Sequence, residues 1–164
     1  RVRSDRADSL RARRPDRRES ARVAEFAQTE PTRYEPVALI VADLDHFKQV
    51  NDTHGHDVGD AVLTGVAARL QQELRVADAL YRIGGEEFIV LLPQTPEDQA
   101  TQIAERLRSA VAEGAVAGQE LTVSLGLASS DGSGFQYATA FDRADEALLA
   151  AKHDGRNRVV VSGA

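Results

Sequence analysis

The 164 residues contain no cysteine, methionine or tryptophan, and each absence narrows what the chain is. Without cysteine there is neither a disulfide framework nor a thiolate metal site, and a reducing compartment is expected. No apolar run approaches the roughly 20 residues needed to cross a bilayer. The Arg-rich start has no apolar segment behind it, so no secretory signal is read and a cytoplasmic location is expected. A chain without methionine is expected to be a piece of a longer protein.

What is present, 42% hydrophobic and 28% charged residues, suits one domain able to bury a core. The formal charge of −6 is unevenly spread, because residues 1–22 hold nine Arg against Asp5, Asp8, Asp16 and Glu19. That surplus of five leaves −11 for the remainder, which argues against nucleic acid as a partner. The basic segment is read as a solvated helical lead-in rather than an anion-binding arm. Residues 1–30 are accordingly set apart from 31–164, the expected folded domain.

Periodicity divides that domain. Glu19 to Gln28 has weak helical spacing, and Pro31 and Pro36 bracket the connection after it. Val37 to Ala42 is a continuous apolar run, expected as a central strand buried on both faces and ending in Asp43. Residues 59–74 place Val62, Leu63, Val66, Ala67, Leu70 and Leu74 on one helical face. Leu80 to Ile83 and Phe88 to Leu92 flank Gly84-Gly85-Glu86-Glu87, a hairpin whose turn is expected to use glycine at positive φ. A helix starts at Pro96 and stops near Gly114. Leu121 to Leu127 alternates as a half-buried strand, Phe141 to Ala151 is a last helix, and Val159 to Val161 a last strand. The element order predicts an α/β sandwich around one mostly antiparallel sheet, with the strand order left open.

Nucleotide chemistry needs hard oxygen ligands, cations for phosphates and a backbone that a triphosphate can approach. Asp43 and Asp45 stand at a strand end, and Glu86 and Glu87 at the hairpin tip. If the strand and hairpin are neighbours, the carboxylates converge, with Gly84 and Gly85 keeping side chains out of the way. Singly, each is an ordinary surface acid; the combination carries the weight. His46, His54 and His56 lack the spacing of a zinc site.

Five motifs follow in order: Asp43-Leu44-Asp45-His46-Phe47-Lys48, Asn51-Asp52-Thr53-His54-Gly55-His56, Gly59-Asp60, Tyr81 to Phe88, and Ala151 to Asn157. Together they resemble the GGDEF domain of the diguanylate cyclase family, over about Val37 to Val160, with Glu86 in the third signature position. The resemblance implies a central five-stranded, mostly antiparallel sheet flanked by helices, like the nucleotide cyclase and polymerase palm. It implies a nucleotidyltransferase that joins two GTP into cyclic di-GMP, with Mg²⁺, or alternatively Mn²⁺, held by Asp43, Glu86 and the Leu44 carbonyl. Asp43, Glu86, Lys48 and Lys152 are the implied catalytic residues. Lys48, Lys152 and Arg156 would neutralise phosphate, Asn51, Asp60 and Leu10 would form the guanine pocket, and Gly84, Gly85 and Glu87 are further implied substrate-binding residues. Lys152 and Arg156 are four apart, the spacing of one helical face, although Gly155 between them is a candidate helix stop.

Arg75-Val76-Ala77-Asp78 matches the family's RxxD motif, implying an inhibitory cyclic di-GMP site with Arg106 as its second arginine. The implied active unit is a homodimer, driven by an upstream sensor or receiver domain outside this chain. The pattern departs at the start, where Asp8 to Arg18 lacks the usual Thr, Gly and second Leu and has Pro15 instead. A binding module that senses GTP or cyclic di-GMP without turnover is the rival reading.

Overall fold

The computed structural model describes residues 35–130 and 134–163. The helical reading of Glu19 to Gln28, the departing start motif and Leu10 lie outside them. A five-stranded sheet runs β1 (Ala38–Leu44), β2 (Ala79–Arg82), β3 (Glu87–Leu92), β4 (Val123–Ser129) and β5 (Val159–Val161) in chain order. In space the order is β2-β3-β1-β4-β5. All pairings are antiparallel except β4 with β5. The apolar run that opens the domain is thus the central strand, buried along its whole length.

Helices cover both faces, as a sheet apolar on both sides requires. On one face Ala38, Ile40, Ala42 and Leu44 of β1 pack with α1 (Phe47–His54), α2 (His56–Gln72) and α3 (Glu97–Ala112). On the other, Leu39 and Val41 pack with Ala140, Ala144 and Leu148 of α4 (Tyr137–His153). Burying leucines and isoleucines of this kind contributes about 1.5–3 kcal/mol each.

Two expectations are corrected. β4 is buried throughout rather than half-buried, because α4 lies directly on its small residues. A Cβ added at Gly126 would collide with the backbone of Ala144 and Leu148, so only glycine admits the helix there. The glycines of the hairpin turn do not have positive φ. Gly84 instead lies against the Glu87 side chain, whose carboxylate a Cβ there would displace. The residues at positive φ include Gly114, just past the end of α3, where a helix stop was expected.

Candidate active site

The register settles where the acids meet. Asp43, in the last turn of pleat of β1, stands opposite Glu87, the first residue of β3. One residue on, the Leu44 N–H donates to the Glu86 carbonyl at 3.2 Å, tying the strand end to the hairpin tip. Residues more than 40 apart in sequence therefore share one sheet edge, as the neighbouring-strand expectation requires. Arg82 steadies the turn, its guanidinium donating to the carbonyls of Gly84 at 3.1 Å and Gly85 at 2.9 Å.

This corner is electrostatically unrelieved. Burial pushes the Asp43 carboxyl above its usual range, against the pull of Lys152, whose Nζ lies 3.1 Å from Asp43 Oδ2. Burial likewise raises the Glu87 carboxyl, and the charges of Asp43 and Glu86 raise it further. Desolvated like charges of this kind favour a bound cation. Among the described residues no three His or carboxylate side chains gather into a ready cage. Two carboxylates and a carbonyl suit an ion that keeps waters and takes substrate phosphate oxygens, so Asp43, Glu86 and Leu44 fit a divalent hard cation.

Residues 16–158 match the family described as "Diguanylate cyclase, GGDEF domain". This chain belongs to the GGDEF family. Among curated relatives, diguanylate cyclase DgcM of Escherichia coli K12 is 44% identical over 126 residues, 76% of this chain and 30% of that protein. The response regulator PleD of Caulobacter vibrioides NA1000 is 42% identical over 132 residues, 77% of this chain and 29% of that protein. The chain thus spans less than a third of the length of these relatives. Among solved structures, the active GGEEF domain of a diguanylate cyclase from Vibrio cholerae superposes with a TM-score of 0.80 at 32% identity, covering 92% of this chain and 98% of that one. The GGDEF domain of DgcB from Caulobacter crescentus, in complex with c-di-GMP, has a TM-score of 0.77 at 29% identity and 87% coverage of each chain.

The remaining GGDEF positions fall into three groups. Lys152 is at the site already, brought by the last turn of α4. Arg156 is not on the same helical face, because α4 ends at His153 and Gly155 follows at φ 113°. The Arg156 N–H closes onto the Ala151 carbonyl at 2.9 Å, a 6→1 bond of the Schellman type. Its charge still reaches Asp43, lowering that carboxyl slightly against the effect of burial. Lys48 points elsewhere: its Nζ pairs with Asp52 at 2.7 Å, with both side chains largely in solvent. Such a pair is worth little and opens readily.

Asn51 and Asp60 come from helices α1 and α2, which meet at Gly55. A Cβ at Gly59 would strike the Asn51 amide, so this glycine makes room for Asn51 beside Asp60. α2 begins at His56, which places Asp60 in its second turn, exposed.

Arg75 to Asp78 form a turn between α2 and β2, not a helical pair. The Asp78 carboxylate is buried and accepts the Arg75 N–H at 2.8 Å and the guanidinium Nη2 at 2.8 Å. Arg75 also donates to Thr95 Oγ1 at 2.6 Å. Arg106 lies on α3, where it donates to the Glu73 carbonyl at 3.0 Å beside a shallow pocket lined by Glu73, Glu105 and Ser109.

Two organising residues carried no sequence signal of their role. Arg69 of α2 donates to the carbonyls of Ala110, Glu113, Gly114 and Ala115, satisfying the C-terminal end of α3. Asp45 is buried, and its oxygens accept from Thr122, Ser124 and the Asn157 N–H. A carboxylate two residues from Asp43 looks like a second ligand in sequence, yet its two oxygens accept from three donors inside the fold.

Proposed function

We propose that this chain is the catalytic domain of a diguanylate cyclase: 2 GTP → cyclic di-GMP + 2 pyrophosphate, dependent on Mg²⁺, with Mn²⁺ as a substitute. The observation that carries the reading is the corner where Asp43 faces Glu87 beside Glu86 and Lys152 reaches Asp43. Mg²⁺, when bound, would polarise the phosphates and make the attacking hydroxyl more acidic.

The chain's own residues do the rest. Asp43, Glu86 and the Leu44 carbonyl would hold the ion, and Gly84 and Gly85 would let the triphosphate approach the turn. Lys152, Arg156 and a reoriented Lys48 offset phosphate charge. Asp60 and Asn51 accept and donate along the guanine edge, with Leu10 against the base, which favours GTP over ATP. Each 3′-hydroxyl oxygen bonds to the other nucleotide's α-phosphorus as the bond to pyrophosphate breaks, with Glu86 as the proton acceptor. One domain holds one GTP, so two copies must face each other, and the homodimer is the active unit. Arg75, Asp78 and Arg106 are read as a product site, since Arg clamps phosphate and stacks on guanine.

Incubating the chain fused to a dimerising coiled coil with GTP and Mg²⁺ tests the reading. Cyclic dinucleotide and pyrophosphate are expected, and their absence from a dimeric, folded sample would sink it. GTP or cyclic di-GMP binding without pyrophosphate release would point to the sensor reading.

A further inference from the structure

Three consecutive residues after α4 have left-handed backbone: Gly155 at φ 113°, Arg156 at φ 64° and Asn157 at φ 46°. For the two non-glycine residues this conformation is costly and persists only where the surroundings hold it. One holder is the Asp45 carboxylate, which accepts the Asn157 N–H at 3.1 Å through Oδ2. That carboxylate is itself fixed by Thr122 Oγ1 at 2.6 Å and Ser124 Oγ at 2.7 Å, both from the β4 side of the sheet. The Asp45 N–H adds a backbone tie to the Thr122 carbonyl at 2.9 Å. A second brace comes from Arg108 of α3, whose Nη1 donates to Asn157 Oδ1 at 2.9 Å.

We infer that Asp45 is a positioning residue: it locks the Gly155–Asn157 turn in its left-handed form and so aims Arg156 at the phosphate of the bound nucleotide. The inference rests on the GTP reading of the corner, but its structural half does not. The two Asp45 oxygens serve three protein donors, which sets this carboxylate apart from that of Asp43. Its effect on the nucleotide passes through Arg156, which sits one bond from the anchored amide.

This assignment separates Asp45 from Asp43 by a conservative change. In Asp45→Asn the amide oxygen keeps the bonds from Thr122 and Asn157, and the amide N–H₂ donates to Ser124, so positioning survives without charge. In Asp45→Ala the anchor is gone, and Thr122→Val removes one of its two hydroxyl supports. Hydrogen exchange of residues 155–158 is expected to quicken in Asp45→Ala and Thr122→Val and to stay slow in Asp45→Asn. The KM for GTP is expected to rise about tenfold in Asp45→Ala, the scale of one hydrogen bond to a charged group, and only a few-fold in Thr122→Val, with kcat little changed. In an Arg156→Ala background those KM changes should vanish, as they must if Asp45 acts through Arg156.

If Asp45→Asn abolishes turnover as Asp43→Asn does, Asp45 is a metal ligand and the inference is overturned. Unchanged exchange in Thr122→Val, or KM effects that add to Arg156→Ala, would also overturn it. Should Asp45→Ala fail to fold, Thr122→Val and Asp45→Asn carry the same comparison. Failure of the GTP reading shows separately, as wild-type protein that makes no cyclic dinucleotide while its 155–158 exchange still responds to Asp45.

Discussion

The two ends of the β2–β3 hairpin are built on opposite electrostatic terms. At one end Asp43, Glu86 and Glu87 feel one another's charge, Lys152 pairs with Asp43, and two of the carboxyls are held above their usual range. At the other, Arg75 and Asp78 satisfy each other through three side-chain contacts and a backbone bond. The first end leaves its charge for a ligand to complete; the second is complete without one. Sites that bind cations commonly sacrifice stability in this way, whereas a closed ion pair holds a turn in shape.

The largest test of the contrast is Asp43→Asn. Turnover is expected to fall on the order of 10³-fold, as for loss of a ligand to a catalytic metal, measured as pyrophosphate release. The same substitution should leave the melting temperature without GTP unchanged or higher, because it removes a desolvated charge. At the opposite end Asp78→Ala should destabilise by about 2 kcal/mol in denaturant unfolding, since it removes the buried acceptor of the Arg75 backbone N–H and guanidinium. If both substitutions move stability the same way, the contrast fails.

A smaller effect is expected of pH. Asp43 and Glu87 have folded pKa values above their unfolded ones, so the folded state binds protons more tightly than the unfolded state across that interval. Their contribution therefore weakens stability as pH rises through the carboxylate range and levels off above the folded values. Comparing wild type with Asp43→Asn/Glu87→Gln isolates it, with a flatter profile expected for the double variant. Arg75→Ala should weaken inhibition by added cyclic di-GMP at least tenfold, the scale of a charge-assisted phosphate contact. Unchanged inhibition would leave the RxxD turn as scaffold alone. Smallest is Asp52→Ala, which frees Lys48 and should leave the melting temperature unchanged, because both side chains already stand in solvent.

Much of the corner was legible because it depends on residues local in sequence. Asp43 ends an apolar strand, and Glu86 and Glu87 follow two glycines between apolar strands, so pairing those strands suffices to converge the acids. What stayed hidden depends on partners far away. Nothing near Asp45 distinguishes its buried oxygens from those of Asp43; the difference lies in Thr122 and Ser124, almost eighty residues on. Arg69 reads as one more charge on a helix until the end of α3 is folded beneath it. The role of Gly84 was misread because turn glycines are usually chosen for their φ, while here a neighbouring side chain fills the space. Lys48 shows the limit in the other direction, since a residue that matches a motif can rest against an exposed neighbour, here Asp52.

The glycine beneath α4 acts as a spacer of zero thickness. Gly126 lets the helix lie flush on the sheet, and Lys152 rides at the far end of that helix with its tip at Asp43. A single methyl group at Gly126 would lift α4 and carry the lysine off the acid without touching either of them. The reach of that cation is therefore written as much in the depth of a helix seat as in the length of its own side chain.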